Sequence, residues 1–366
     1  MSGRDMMLHR CGPACQQHGL ASPRPRAKRV RPIAESVIDV HCHALSQATE
    51  KLVADTPQKK SEPHLMLRAQ GQESIDHNRS VMLPNAIPKL LNLEQRLSDM
   101  DDMGVDIQLV SPSPTQYYYW ANPDLAVAIT TQINDDIAAL IARAPDRLLG
   151  LGTVALQHPE LAARQLRTLM TIQGLKGVQI SASVNEVELS DPALDPFWEV
   201  ADELGAVVFI HPSGSSLMER LDKFYLANII GQPIETTIAL SHLIFGGVLD
   251  RNPALKILAA HGGGYLPFYP GRSMHGNAMR PEAQKMRHAP EVYFKRIWFD
   301  NLVYDAAQLC ALIDRVGVSQ LVLGTDYPFD MGDYRCSSFL EQIDTLTVAD
   351  RRDILCGNAR RLIGDV

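Results

Sequence analysis

Short, continuously apolar segments alternate with longer amphipathic segments over most of the chain after residue 36. Strands buried on both faces of a parallel sheet have such uninterrupted apolar sequences, whereas surface helices repeat apolar residues at helical spacing. The helical repeat is clearest in Leu125, Ile129, Ile133, Ile137 and Leu140. The pattern predicts eight strands, at Val37–Val40, Val105–Val110, Leu148–Val154, Gly177–Ser181, Ala206–Ile210, Lys256–Ala260, Ile297–Leu302 and Leu321–Gly324.

Capping residues and prolines mark the ends of the predicted helices. Asn92, with Gln95 following it, resembles a capping box, and Gly104 ends that helix. Asn122 and Pro123 begin the next helix. Further helices are predicted at Pro159–Met170, Pro192–Leu204 and Glu235–Leu249, and from Asp305 to Gly317.

This alternation of strands and helices is typical of an α/β fold with a parallel sheet. Eight strands, most of them separated by helices, favour a closed (β/α)8 TIM barrel over the alternative, an open doubly wound sheet. The nucleotide-binding form of the open sheet has little support, because neither G-x-G-x-x-G nor G-x-x-x-x-G-K-[ST] follows any predicted strand. We therefore predict a TIM barrel.

Two segments do not fit the alternating pattern. The polar segment Ala44–Asn92 has few periodic apolar positions, so we predict a long insertion after the first strand that is functional or flexible. Residues 1–35 are predicted to form a disordered extension of the barrel domain, residues 36–366, because they are basic and lack apolar periodicity. An arginine-rich organelle transit peptide is the alternative for this extension.

Composition limits the classes of function. The chain has 366 residues, of which 45% are hydrophobic and 21% charged, as in a globular protein that buries a substantial core. Its formal net charge of -7 argues against nucleic-acid binding, which favours a basic surface. Because no apolar run approaches the length that crosses a bilayer and no secretory signal is recognisable, we expect a cytoplasmic protein that binds no membrane. The six cysteines lack framework spacing, as expected for reduced thiols.

Chemically reactive side chains follow several of the predicted strands. The first strand ends in His41 and His43, which point to the same side because side chains alternate along a strand. His211 follows the fifth strand, His261 the sixth and Asp326 the eighth. Each of the five has an ordinary explanation by itself, as a loop histidine or a turn aspartate. In a TIM barrel, however, the carboxyl ends of the strands meet at one face, where active sites lie.

Three imidazoles and one carboxylate make a suitable site for a catalytic divalent metal. We predict four ligands: His41, His43, His211 and Asp326. His261 is predicted to act as a general acid or base beside the metal-bound water, with Asp326 as the second catalytic residue. A second metal would need a carboxylate or modified lysine at the end of the fourth strand, but Gln179–Ser183 offer neither and Lys176 precedes the predicted strand. One ion is therefore predicted.

The residues at the strand ends resemble those of the amidohydrolase superfamily. Longer motifs resemble its branch of enzymes similar to 2-amino-3-carboxymuconate-6-semialdehyde decarboxylase, from about Glu94 to Pro328. The matching segments are Gly150–Thr153, Gly177–Ile180, Glu235–Thr237, His261–Gly264, Gly271–Arg272, His275–Gly276, Met279–Pro281 and Gly324–Phe329.

The resemblance implies a zinc-dependent carboxy-lyase that releases CO2 from a small-molecule carboxylate without an organic cofactor. It also implies a homodimer in which Arg272 reaches into the neighbouring subunit's site, where it would bind a carboxylate bidentately. Arg79, in the insertion, is a candidate for a second clamp. We expect an unsaturated or aromatic acid as substrate, with metal-bound water and His261 delivering a proton to the carbon that loses CO2.

The chain departs from the family pattern at two positions beside the expected pocket. Ser213 follows Pro212, where the family tends to have a tryptophan, and Asn228 stands in place of an expected aromatic residue. Loss of two stacking surfaces changes the shape of a pocket, so the sequence predicts the class of reaction better than the substrate.

Three alternative functions remain open at this point. The first is a hydrolase of the same fold, because zinc hydroxide also attacks lactones and amides. The second is a decarboxylase or hydratase of hydroxylated aryl acids, although many such relatives have glutamate in place of the first histidine, here His41. The third is a metal-holding scaffold without turnover, which the convergence of reactive groups disfavours.

Overall fold

Eight parallel strands form a single sheet, in the order in which they occur along the chain. The computed structural model describes residues 35–172 and 174–364, so all of the predicted extension, residues 1–35, except Glu35 lies outside the described residues. The strands are Ile38–Ala44, Ile107–Pro112, Leu148–Gly152, Leu175–Ile180, Val207–Ile210, Lys256–Ala259, Trp298–Asp300 and Leu321–Val322. Each of them overlaps one of the predicted strands.

Hydrogen bonds between the first strand and the residues just after the eighth strand close the sheet into a barrel. Val40 N donates to Leu323 O (2.9 Å), and beyond the eighth strand Asp326 N donates to His41 O (2.8 Å). The predicted TIM barrel is therefore confirmed, and the open doubly wound sheet is wrong.

Helices cover the outside of the barrel, while a separate apolar cluster fills its interior. Side chains alternate along the strands between the two: Val178 and Ile180 belong to the outer core, whereas Leu149, Leu151 and Phe209 belong to the inner cluster. The α-helices are Gln47–Val53, Pro57–His77, Leu83–Leu91, Leu93–Met103, Pro123–Arg143, Pro159–Leu169, Asp195–Leu204, Gln232–Phe245, Val248–Arg251, Pro270–Met279, Pro290–Phe294, Ala306–Val316, Ser337–Glu341, Val348–Arg352 and Asn358–Ile363. A small hairpin, Ser183–Val184 with Val187–Glu188, lies outside the barrel sheet.

The predicted capping residues lie at the helix ends. Asn92 Oδ1 accepts hydrogen bonds from Glu94 N and Gln95 N, and Gly104 follows the same helix with a left-handed backbone (φ 72°). The Gln95 side chain donates to Asp99 Oδ1 and not back to Asn92. This helix therefore has an N-cap without the reciprocal bond of a capping box.

The helix Pro123–Arg143 is long and apolar enough to cross a membrane by length and composition. Ile129 and Ile133 of this helix pack in the outer core of the barrel. Asn134 donates to Thr153 O (3.0 Å), just beyond the third strand. These contacts are those of a barrel helix.

The insertion after the first strand is helical for most of its length, although its sequence has few periodic apolar positions. Its helices are Gln47–Val53, Pro57–His77 and Leu83–Leu91, with a π-helical turn, Asn78–Met82, between the last two. In the longest of these helices only Ser74 is buried. Polar contacts such as the ion pair between Arg68 and Glu219 hold this helix, so apolar periodicity could not predict it.

Close contacts join the insertion to the loops that follow the fifth and eighth strands. Gly71 interrupts the long helix with φ 77°, and a Cβ atom there would lie 1.8 Å from the backbone oxygen of Asp222. His77 Nε2 lies 3.5 Å from Asp330 Oδ2. The insertion therefore covers part of the face where the carboxyl ends of the strands meet.

Candidate metal centre and active site

The four predicted ligands meet at the carboxyl ends of three strands. His41 and His43 lie in the second half of the first strand, His211 follows the fifth strand and Asp326 follows the eighth. All four are buried, and one ligand atom from each lies within 4.8 Å of the others. Among the described residues, no other group of three or more histidine, cysteine or acidic side chains is arranged to hold a metal ion.

Backbone carbonyls fix the orientation of two of the three rings. His43 Nδ1 donates to Pro112 O (3.2 Å), and His211 Nδ1 donates to Pro212 O (2.9 Å). Because a carbonyl oxygen only accepts hydrogen bonds, Nδ1 carries the hydrogen in both rings, and Nε2 of the neutral ring presents a lone pair.

Unpartnered buried atoms surround a common point. They are His41 Nε2, His43 Nε2, His211 Nε2 and Asp326 Oδ1, none of which has a hydrogen-bond partner among the described residues. Asp326 Oδ1 lies 3.4 Å from His41 Nε2 and 3.2 Å from His43 Nε2. Two ligands at tetrahedral positions around a zinc ion lie about 3.4 Å apart, so these spacings and donor types suit a divalent metal.

Burial and neighbouring charges set the protonation states of the ligands. Burial lowers the pKa of His43, and burial with the adjacent histidine charges lowers that of His211 well below its usual range. Burial alone would raise the pKa of Asp326, but His41 and its neighbours hold it well below the usual range. Burial would likewise lower the pKa of His41, but Asp326 and Asp300 outweigh it and raise that pKa to about 10. The negative charge that attracts this proton equally favours a bound cation.

His261 lies beside the ligand cluster. It follows the sixth strand on a glycine-rich turn, and its Nε2 lies 3.7 Å from Asp326 Oδ2. Its ring centre is 5.1 Å from that of His211. A histidine in this position reaches a substrate atom held near the ligands without being a ligand itself.

Asp300 supports the site, although it was not among the residues predicted from the sequence. It is fully buried at the end of the seventh strand and accepts hydrogen bonds from His41 Nδ1 (2.7 Å), His261 N (2.9 Å) and Gly262 N (2.8 Å). One carboxylate thus orients a ligand ring and the turn that carries His261. Its position at a strand end was a usable signal, but the predicted strand Ile297–Leu302 continued past it.

The fourth strand contributes no ligand for a second metal. It extends over Leu175–Ile180, so Lys176 lies inside the strand near its beginning, which corrects the prediction that it precedes the strand. Gln179, near the other end, is fully buried and donates to Pro112 O (2.9 Å). The arrangement suits a single ion.

The two predicted substrate-binding arginines lie on the surface of the single chain. Arg272 is exposed on the helix Pro270–Met279, and Arg79 is exposed in the turn Asn78–Met82. Neither forms a hydrogen bond or ion pair within the described part of the chain. The single chain therefore does not bring either arginine into contact with the metal ligands.

The loop after the fifth strand uses serines where the family tends to have tryptophan. Ser216 N and Ser216 Oγ each lie 2.8 Å from Glu235 Oε1, which accepts both hydrogen bonds. Phe329, in the loop after the eighth strand, brings an aromatic side chain to the site, since its ring centre lies 5.5 Å from that of His43. Ser216 thus binds the helix Gln232–Phe245 through Glu235, and Phe329 supplies an aromatic contact to His43.

Two relatives of this chain are 2-amino-3-carboxymuconate-6-semialdehyde decarboxylases. A 2-amino-3-carboxymuconate-6-semialdehyde decarboxylase from Dictyostelium discoideum is 37% identical over 271 residues, which cover 74% of this chain and 76% of that protein. The protein of the same name from Caenorhabditis elegans is 28% identical over 380 residues, which cover 89% of this chain and 94% of that protein.

Solved structures of the same fold include two further decarboxylases. The 5-carboxyvanillate decarboxylase from Sphingomonas paucimobilis has a TM-score of 0.77 at 24% identity, covering 91% of this chain and 100% of that chain. A dihydroxybenzoic acid decarboxylase from Polaromonas sp. JS666, with bound manganese and the inhibitor 2-nitroresorcinol, has a TM-score of 0.73 at 23% identity, covering 90% and 97%. At these identities the likeness is one of fold.

The amidohydrolase family profile matches residues 38–364, nearly the whole described chain. The match includes every strand of the barrel and all four residues of the ligand cluster. This chain belongs to the amidohydrolase family, in the branch of the 2-amino-3-carboxymuconate-6-semialdehyde decarboxylases.

Proposed function

We propose that this enzyme is a metal-dependent carboxy-lyase that releases CO2 from an unsaturated or aromatic carboxylic acid. The observation that carries the proposal is the buried set of three imidazoles and one carboxylate with His261 beside it. The relatives named above are decarboxylases, and one of them is 37% identical to this chain. A hydrolase of the same fold is not favoured, because the relatives named above are decarboxylases.

A single zinc ion is our proposal for the metal. The three Nε2 atoms and Asp326 Oδ1 would hold it, and nitrogen with carboxylate oxygen is a donor set that zinc accepts. When bound, the ion supplies a Lewis acid that stabilises negative charge on a substrate oxygen. A solved relative contains manganese, so metal content measured by mass spectrometry on the purified enzyme decides between the two ions.

His261 is the proposed proton donor. The protonated ring gives its proton to the substrate carbon that carries the carboxylate, the bond from that carbon to the carboxylate then breaks, and CO2 leaves. The proton remains as the new C–H bond. Asp300 holds the backbone of His261, and Asp326 lies beside its ring, so the donor stays next to the ligands.

A homodimer in which Arg272 enters the partner's site is the proposed assembly. Arg272 lies on an exposed helix together with Met279, which is 63% exposed, and near Tyr265 and Tyr269, which are 40% and 68% exposed. Large exposed apolar side chains around one charge are typical of a surface that another chain covers. From there the guanidinium would bind a substrate carboxylate bidentately.

Arg79 is the proposed second carboxylate clamp, from the same chain. It lies in the turn that follows His77, and His77 contacts Asp330 in the loop after Asp326. This contact supports a position of the turn above the mouth of the site. The exposed side chain can reach inward once a carboxylate is present.

A carboxymuconate semialdehyde is the substrate class that sequence identity favours. A second candidate is a hydroxylated aryl acid, because a gamma-resorcylate decarboxylase from Polaromonas sp. is 26% identical over 294 residues, which cover 76% of this chain and 90% of that protein. His41 favours the first class, since many relatives acting on aryl acids have glutamate at the equivalent place.

A cytoplasmic location is also proposed. Four cysteines are free in the described part of the chain: Cys42, Cys310, Cys336 and Cys356. Free thiols suit a reducing compartment. Microscopy of a fluorescent fusion tests this, and an organelle signal would favour a transit peptide instead.

Measurement of CO2 release tests the proposed reaction. The panel contains carboxymuconate semialdehydes and phenolic acids, each with and without a chelator. We expect release from at least one acid, its loss on chelation, and its return on addition of a divalent metal. Cleavage of a lactone or amide by an enzyme that releases no CO2 would contradict the proposal.

A further inference from the structure

Gln179 lies on the inner face of the barrel, next to the ligand cluster. It is fully buried on the fourth strand and pairs in register with Phe209 of the fifth strand. The Phe209 ring centre lies 4.9 Å from that of His41. The amide is therefore in the layer of side chains that surrounds the proposed metal ligands.

Two hydrogen bonds determine how the amide of Gln179 is oriented. Its Nε2 lies 2.9 Å from Pro112 O and 2.9 Å from Tyr117 Oη. Because the carbonyl of Pro112 can only accept, the nitrogen and not the oxygen must face it. Both hydrogens of the amide are thus used, and the orientation of the group is unambiguous.

The two partners of this amide also hold two of the metal ligands. Pro112 O accepts from His43 Nδ1 (3.2 Å), and Tyr117 Oη donates to the backbone oxygen of His211 (2.8 Å). Gln179 therefore lies between the supports of His43 and His211. Its side chain cannot turn away without breaking contacts to both.

The amide oxygen of Gln179 has no hydrogen-bond donor within the described part of the chain. A buried acceptor without a donor is unfavourable, so most such atoms in proteins have a hydrogen-bond partner when the site is filled. Gln108, another fully buried glutamine of the barrel, shows the contrast. Its Oε1 accepts from Arg96 Nη1 (2.9 Å) and its Nε2 donates to Asp39 Oδ2 (3.0 Å).

We propose that Gln179 Oε1 accepts a hydrogen bond from a hydroxyl or amino group of the substrate and so determines specificity. This inference rests on the proposed function, namely that the pocket binds an unsaturated or aromatic acid beside the metal. The substrate class is thereby narrowed to acids that also carry a hydrogen-bond donor such as –OH or –NH2. A site with a fixed, unpaired acceptor discriminates strongly against analogues that lack the donor.

Two unreactive probes test this assignment by binding alone. 2-Nitroresorcinol carries two hydroxyl groups, and 2-nitrophenol lacks one of them without added bulk. Calorimetric titration of the metal-loaded enzyme measures the ratio of their dissociation constants. We expect the wild type to prefer 2-nitroresorcinol at least tenfold, and Gln179→Met to reduce this preference about tenfold, because the acceptor is gone.

Gln108→Met is the matched control. It removes a buried barrel glutamine whose two ends are satisfied by protein, so it should lower stability and leave the ratio of the two dissociation constants unchanged. If Gln179→Met does not fold, the same measurement is made on Tyr117→Phe, which removes one of the two hydrogen bonds that orient the Gln179 amide. A ratio at least threefold lower supports the inference, and an unchanged ratio overturns it.

Failure of the two proposals can be told apart. CO2 release by the wild type together with an unchanged binding ratio in the folded Gln179→Met variant overturns the role of Gln179 and leaves the reaction in place. A ratio that falls in an enzyme that releases no CO2 from any acid supports the acceptor and overturns the proposed reaction. A fall that Gln108→Met reproduces shows that general loosening of the barrel lowers the ratio, and overturns the assignment.

Discussion

Asp326 and His261 have the same unusual backbone conformation. Their φ angles are 56° and 55°, in the left-handed region that residues other than glycine rarely adopt. Each such residue costs about 1 kcal/mol or more and persists only where the surroundings hold it. Here the hydrogen bond from Asp326 N to His41 O and the one from His261 N to Asp300 hold the two residues. The left-handed backbone at these positions directs both side chains towards the metal ligands.

Replacement of His261 should separate catalysis from metal binding. We expect His261→Asn to reduce CO2 release about a hundredfold or more, because the proton donor is lost. Metal content should stay at the wild-type level, because His261 is not a ligand. The control is His242→Asn, at a half-exposed histidine that contacts Glu188 on the hairpin. Loss of metal in His261→Asn would contradict this assignment.

Asp300 should affect metal affinity although it is not a ligand, because it holds His41. Asp300→Asn replaces one acceptor oxygen by an NH2 group that faces the donors His41 Nδ1, His261 N and Gly262 N. We expect metal affinity to fall about tenfold to a hundredfold, measured by competition with a chromogenic chelator. Asp305→Asn is the control, because asparagine caps a helix as well as aspartate does. Equal affinities in the Asp300 variant and the wild type would show that His41 needs no carboxylate.

The ligand positions could be predicted from sequence, but the groups that support them could not. His41, His211 and Asp326 follow predicted strands, and barrel geometry alone brings strand ends together. Gln179 acts through contacts with strands other than its own, and its partner Pro112 is 67 positions away. Such a long-range contact cannot be predicted from a local sequence pattern. The proposed roles of Arg272 and Arg79 depend on groups outside the single chain.

Among the structural elements, the insertion differs most from its prediction. Its helices carry few buried residues and are held by charged groups: Lys59 Nζ lies 2.9 Å from Glu50 Oε2 and 2.7 Å from Glu62 Oε2. Tyr118, in the loop after the second strand, donates to the same Glu50. Helix ends elsewhere could be predicted because Asn92 and Asp305 cap their helices through local hydrogen bonds. The ion pairs that hold the insertion helices do not recur at a regular spacing, so no periodic sequence pattern predicts them.

Stability of the insertion should depend on pH through Glu50. Burial alone would raise the pKa of Glu50, but hydrogen bonds from Tyr118, Lys59 and Gln116 lower it below its usual value. A lowered folded-state pKa stabilises the protein above the unfolded pKa of about 4.3, and this contribution is lost as the pH falls through the folded value. We expect the wild type to lose about 1 kcal/mol more unfolding free energy than Glu50→Gln between pH 6 and pH 3. Urea denaturation at both pH values measures the difference, and equal losses would contradict it.

At the scale of the whole molecule, the proposed dimer predicts complementation between two inactive variants. Arg272→Ala lacks the arginine, and His261→Asn lacks the proton donor. If Arg272 acts in the partner's site, a mixed dimer contains one complete site. Random pairing of equal amounts should restore about a quarter of wild-type CO2 release after subunit exchange.

Two further measurements make the complementation decisive. Sedimentation of the mixture must show dimers, and each variant alone must remain inactive after the same treatment. If the arginine acts within its own chain, mixing restores nothing.

The hydrogen bonds that join the first strand to the residues after the eighth strand determine when the metal site can form. Thr325 and His41 share a hydrogen bond across 284 positions of the chain. While the polypeptide is being made, His41 lacks both of its carboxylate partners until residues 300 and 326 emerge, and the edge of the first strand stays uncovered. A metal ion bound at that stage would link the first strand to the residues after the eighth strand. We therefore expect the supply of metal during synthesis, and not its later addition, to govern how much enzyme folds.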